Sequence, residues 1–233
     1  MRSSTAPPYR RDTDFHGAGP TLVGWLVLVG AMIAVAYFGR ATEGKPDPQV
    51  LYRWSTAAGG LVQDGIILAV VLALARGNRA LLGLHRPWSI WRALRIVGLT
   101  IVGIYAFELL YGAIAHPGNE QGLTPGRWEP SHAVAYVVNG IVICSWIPFV
   151  EEVTFRGLGY SLLERFGRWP AILVVGVIFG LAHGLVVSLP VIVVFGCVLA
   201  WIRSTTRSVY PGMLAHATFN LIALVAAVTI GTR

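Results

Sequence analysis

Charge is scarce in this chain. Of its 233 residues, 12% are Asp, Glu, Lys or Arg, against roughly 25% in an ordinary soluble domain. That leaves too little polar surface to cover a water-soluble globule, so the soluble classes are excluded first. Cysteine is scarce too. Cys144 and Cys197 are the only two, which excludes a small disulfide-built scaffold. Both lie in apolar runs, where free Cys behaves as a small buried hydrophobe with no redox or catalytic role. The chain is aperiodic and apolar, so collagen-like and disordered classes are excluded as well. Several catalytic signatures are missing. There is no H-E-x-x-H zinc helix and no G-x-x-x-x-G-K-[ST] phosphate loop. There is no G-x-S-x-G nucleophile elbow, and no G-x-G-D string of the intramembrane aspartyl type.

Long apolar runs are what the chain has instead. Hydrophobic residues make up 55% of it, and mean hydropathy is +0.65. Apolar runs fall at about 20–39, 58–75, 94–115, 132–150, 170–183, 186–202 and 209–230. A membrane-spanning helix needs about 20 such residues. The expected fold is therefore all-α, a polytopic membrane bundle of seven helices, with six to eight fitting the length. The run at 132–150 continues as helix past Glu151 towards Leu163. Three regions are expected: a polar tail at 1–18, membrane helices at 19–131 and a core at 132–233. The run after the tail is too long for a signal peptide, and no small-residue cleavage site follows it. Segment 80–95 combines Trp88 and Trp91 with His85, Arg86, Arg92 and Arg95, which suits the headgroup interface. A plain connecting loop is the alternative.

Net charge is +7. The basic residues are scattered at the ends of apolar segments, which argues for membrane orientation and not for nucleic acid. With seven alternating spans and the N-terminus inside, thirteen basic residues fall on the inner side. They are Arg2, Arg10, Arg11, Arg76, Arg79, Arg86, Arg92, Arg95, Arg156, Arg165, Arg168, Arg203 and Arg207. Arg40, Lys45, Arg53, Arg127 and Arg233 fall outside. The excess predicts a cytoplasmic N-terminus in a cell membrane. Composition and small size look bacterial.

Ionisable side chains inside a membrane are expensive and mark function by default. Asp64, Glu108, Glu151, Glu152, Arg156, His183 and His216 qualify, with the amide of Asn220. Asp64 and Glu108 have no evident role. Glu152 and Arg156 are four apart and can pair on one helix face. Glu151 points about 100° away, which leaves it the better general base. An interfacial ion-pair network at a helix end is the plainer alternative. Phe179 and His183 are four apart, and so are His216 and Asn220. In a medium without water these groups must find one another. A carboxylate and a His can activate water, while a second His and an amide can donate to an oxyanion. Glu151, His183 and His216 also form a zinc-type donor set. Both alternatives describe peptide hydrolysis.

The ordered trio E-E-x-x-x-R at Glu151–Arg156, F-x-x-x-H at Phe179–His183 and H-x-x-x-N at His216–Asn220 resembles the CAAX protease and bacteriocin-processing family, also called Abi. The resemblance covers about 132–225. It implies a helical membrane core around a polar cavity and an endopeptidase acting on membrane-associated peptides, such as prenylated CAAX tails or leader peptides. It implies Glu151 as the water-activating base, with His183 beside it. His216 and Asn220 would form the oxyanion site, with Glu152, Arg156 and Phe179 in support. The family is commonly labelled metalloprotease, and a metal-free glutamate mechanism has also been proposed. Expected partners are membrane lipid and a membrane-associated peptide, with no nucleic acid. Two other readings use the same residues. One is a non-catalytic scaffold or immunity protein. The other is a proton-coupled carrier with Glu108, Glu151 and His183 as its relay.

Overall fold

The computed structural model describes residues 18–229, apart from 45, 46, 121, 123, 124, 126 and 127. The polar tail, Ala18 excepted, lies outside the described residues, as do Lys45, Arg127 and Arg233 of the orientation argument. The structure is 83% helical, and no strand occurs among the described residues. It is a polytopic helical membrane bundle.

Each apolar run is a helix: α1 (Ala18–Glu43), α2 (Trp54–Ala75), α3 (Ile90–Ala115), α4 (Pro130–Phe166), α5 (Arg168–Leu181), α6 (Leu189–Thr206) and α7 (Tyr210–Thr229). Six are long and apolar enough to cross a membrane. α5, at 14 residues, is about 21 Å long and falls short of the roughly 30 Å hydrocarbon layer. Loops 76–89, 164–168 and 203–210 meet at one end of the bundle. There Val209 donates its N–H to Gly83 O, and Arg207 pairs with Glu164. At the other end Gln49 donates to Glu129, and Glu120 reaches the backbone of residues 186–188.

α4 is the axis. α1, α2, α5, α6 and α7 all pack against it, while α3 packs against α6 and α7. The core follows α4 through Val150, Val153, Phe155, Leu158 and Tyr160, all with no exposure. Large apolar side chains such as Phe38, Leu99, Leu109 and Ile114 face outward, as lipid requires.

α4 is not a uniform α-helix. Two stretches, Val142–Trp146 and Glu152–Gly159, are wound as π-helix. In the first, Ile147 donates to Val142 O, five residues back. The next donor in that register would be residue 148, which is Pro and has no N–H. The carbonyl of Ile143 therefore takes its hydrogen from Asn220 Nδ2 on α7, at 2.8 Å. The second stretch also takes outside donors. Trp25 Nε1 reaches Thr154 O at 3.0 Å, and Arg203 Nε reaches Arg156 O at 3.1 Å. Irregular turns of this kind are frequent at functional sites.

α5 and α6 form a tight antiparallel hairpin. Gly176 and Gly180 make a G-x-x-x-G face, and a Cβ on Gly176 would strike Cys197 Sγ. A Cβ on Gly196 would lie 2.8 Å from Gly176 O. Small residues permit this approach in lipid, where packing replaces the hydrophobic effect between helices.

Candidate active site

The π-wound middle of α4 carries the acidic pair. Glu152 has no exposure, and Glu151 keeps 17% of its side chain accessible. Arg156, also fully buried, reaches Glu152 Oε1 through Nη1 at 3.0 Å. Its Nη2 donates to Gly196 O at 3.0 Å. The guanidinium lies 4.0 Å from the centre of the Phe179 ring, in cation–π contact. Two buried charges are thus paired and fixed from three sides, the condition for burying an ion pair without ruinous cost.

His216 stands between the carboxylates. Its Nε2 is 3.6 Å from Glu151 Oε2 and its Nδ1 3.4 Å from Glu152 Oε1. Both distances are within ion-pair reach but short of hydrogen-bond geometry, and Glu151 Oε2, Glu152 Oε2 and His216 Nδ1 have no hydrogen-bond partner. A neutral imidazole has one N–H and can donate to only one of them. The two acids diverge from the helix as expected, yet meet on opposite nitrogens of one ring. Gly212, one turn before His216, makes room for this. A Cβ there would strike Glu152 Oε2.

Phe179 joins the remaining pieces. Its ring meets His183 edge-on at 4.6 Å and His216 at 5.8 Å between centres. His183 Nδ1 is 2.7 Å from the carbonyl of Phe179, which orients the ring with Nε2 away from its own helix. Phe195 packs against His216 at 5.4 Å. Glu151, Glu152, Arg156, Phe179, His183 and His216 therefore form one chain of contacts. Asn220 joins it through Ile143, two turns before Glu151 on α4.

Two acidic residues without an evident role receive different placements. Asp64 on α2 is buried, with Oδ2 lacking a hydrogen-bond partner, and lies within electrostatic range of Glu151. Glu108 is exposed on α3. Among the described residues no hydrogen bond or ion pair joins it to Glu151 or His183, so the carrier relay gains no geometric support.

The zinc-type donor set does not assemble. No group of three or more His, Cys, Asp or Glu side chains is arranged to hold a metal ion among the described residues. His183 lies across Phe179 from His216, so the residues do not fit a metal as placed.

Glu120 was not among the residues expected to matter. It lies in the loop after α3 and accepts the N–H groups of Val186, Val187 and Ser188 at 2.9, 3.1 and 2.6 Å. It also pairs with Arg40 at 2.8 Å. Burial alone would raise its pKa. The backbone donors and the Ser188 hydroxyl outweigh that and hold it at about 2. Tyr37 and Tyr111 donate to Leu185 O and Val187 O. The loop directly after His183 is thereby held from α1, α3 and the α3–α4 connection. A carboxylate inside a Pro/Gly-rich polar loop gives no sequence signal for such a role.

Residues 133–222 match the family model described as Type II CAAX prenyl endopeptidase Rce1-like. The core of this chain is thus similar to that family over 90 residues. The matched stretch runs from the start of α4 past Asn220 and contains all three motifs. It supports a CAAX-type membrane protease, a hydrolase. No curated protein and no solved structure matched the chain.

Proposed function

We propose that the chain is an intramembrane endopeptidase that hydrolyses a peptide bond in a membrane-associated, CAAX-like substrate with Glu151 as general base. The observation that carries this is the unequal pair on α4. Glu152 is sealed and committed to Arg156, while its neighbour Glu151 is partly accessible and faces His216. One acid holds the structure and the other is available for chemistry.

In this reading Glu151, assisted by His183, takes a proton from water, and the hydroxide attacks the scissile carbonyl carbon. The oxyanion accepts hydrogen bonds from His216 and Asn220. Asn220 Nδ2 carries two hydrogens, one of which is given to Ile143 O, leaving the other for substrate. Glu151 then returns its proton to the leaving amine. General acid–base help of this kind contributes about 10²–10⁴-fold. Phe179, Arg156 and Glu152 position these groups.

The region 132–233 is proposed as the catalytic core and 19–131 as its support. The N-terminus is assigned to the cytoplasmic side. Among the described residues, Arg76, Arg79, Arg86, Arg92, Arg95, Arg165, Arg168, Arg203 and Arg207 lie at the end where α1 begins, against Arg40 and Arg53 at the other.

The test is cleavage of a quenched fluorescent, farnesylated CAAX peptide by purified protein in detergent, with and without a chelator. Wild type should release the terminal tripeptide and Glu151→Ala should not, at equal thermal stability. Wild type inert towards this peptide and towards a hydrophobic leader peptide would turn the same fold into a binding scaffold.

A further inference from the structure

A second site lies away from the acidic pair. A cleft of about 910 Å³ opens between the first turns of α3, the first turn of α7 and the connection before α3. Its size falls within the roughly 300–1,000 Å³ of ligand sites. None of Glu151, Glu152, His183, His216 or Asn220 lines it. Its walls are apolar: Leu84, Pro87, Ile90, Leu94, Val97 and Leu214. His85 and Arg86 stand at its rim and are exposed, and Tyr210 closes one side.

The surroundings say what it would hold. Arg76, Arg79, Arg92 and Arg95, near Arg86 in the sequence, are exposed. No ion pair to any of these five is found among the described residues. No carboxylate lines the cleft. Trp88 and Trp91, 74% and 73% exposed, are side chains of the kind that sit at headgroup depth. Arg86, without an ion pair, lines an apolar slot at that depth, in a stretch of chain with four further exposed cations, and this favours an anion there. A basic side chain near an anionic lipid surface is worth on the order of a fivefold gain in affinity.

We propose that this cleft binds one anionic phospholipid, with an acyl chain in the slot and the phosphate on Arg86 and His85. Arg has the fork geometry for phosphate. With no acid at the rim, a choline or ethanolamine ammonium finds no partner, so the site prefers anionic over zwitterionic headgroups. This site does not depend on the peptidase reading.

The test uses the full chain in phosphatidylcholine proteoliposomes with a trace of phospholipid carrying a photoreactive acyl chain. The tracer headgroup is phosphatidylglycerol in one arm and phosphatidylcholine in the other. Phosphatidylglycerol should label peptides spanning 84–97 and 210–214 at least fivefold more than phosphatidylcholine does. Arg86→Gln, in an exposed loop, should bring the two to the same level. Leu214→Trp should abolish labelling by filling the slot while leaving the arginines in place. Equal labelling by the two headgroups would overturn the proposal, as would labelling indifferent to both variants. Displacement of the lipid by a farnesylated peptide would also overturn it, since the slot would then belong to a substrate anchor.

Discussion

The two halves of the bundle differ in what they bury. In α1, α2 and α3 only 11%, 22% and 22% of the most apolar window is buried, against 33%, 50% and 33% in α4, α6 and α7. The first half therefore turns most of its side chains to lipid, and the second buries a larger share. Their polar groups differ in the same sense. The second half keeps charge inside, as Glu152 with Arg156. The first half spends its polar groups on the second half's backbone: Trp25 on Thr154 O, Tyr37 on Leu185 O, Tyr105 on Phe219 O, Tyr111 on Val187 O and Glu120 on three N–H groups. In hydrocarbon no water can satisfy such groups. The lesson is a division of labour. The second half is irregular where chemistry is expected, and the first half supplies partners that let it be irregular.

That contrast can be broken at its strongest point first. Arg156→Ala leaves Glu152 buried without its partner and should cost about 3–5 kcal/mol, read as a collapse of the melting transition in detergent. Arg156→Ala together with Glu152→Ala should recover part of the loss. Full stability of the single variant would show that the ion pair is not what holds the core. A matched pair of glycine substitutions comes next. Gly176→Val drives a side chain into Cys197 and should cost about 1–3 kcal/mol through overpacking. Gly103→Ala on α3, where nothing lies within 4 Å, should not destabilise at all. Equal losses at both places would erase the difference between the halves.

Glu120→Gln tests the clamp from the first half, with an expected loss of about 2 kcal/mol for hydrogen bonds to a charged acceptor. The sign with pH follows from the depressed pKa. The stabilisation is fully present above the unfolded value of about 4.3. It fades as pH falls towards about 2. Melting curves of wild type and variant should therefore stay a constant distance apart above about pH 5 and converge below it. A gap that widens on acidification would refute the assignment. The smallest loss is expected from Trp25→Phe, which removes one donor from Thr154 O and should cost about 1 kcal/mol. Hydrogen exchange at α4 amides should rise there first.

Much of the site was legible because it is written in four-residue spacing. Glu152 with Arg156, Phe179 with His183 and His216 with Asn220 each share a face, and a membrane interior forces such faces together. The seven apolar runs likewise became seven helices. The π-wound turns were not legible, since a period of 3.6 is assumed when a helix is read. Pro148 at the end of an apolar run was the signal, and Asn220 capping Ile143 is its consequence. The G-x-x-x-G face at Gly176 and Gly180 stood in plain view but carries meaning only once α6 is known to oppose it. Gly212 and Glu120 act through groups sixty or more residues away, beyond any local pattern. That both acids reach opposite sides of His216 likewise depends on how α7 docks on α4, which no spacing along α4 contains.

The account rests on the inequality of two neighbouring carboxylates, and one paired experiment addresses it. Glu151→Gln and Glu152→Gln would be compared for cleavage of a farnesylated CAAX peptide and for thermal stability in the same detergent. The prediction is a crossed result. Glu151→Gln abolishes cleavage and leaves the melting temperature near wild type, while Glu152→Gln lowers the melting temperature through the loss of the Arg156 partner and retains measurable cleavage per folded molecule. If Glu151→Gln cleaves as well as wild type while Glu152→Gln is inert yet fully stable, the roles assigned to the two residues are contradicted.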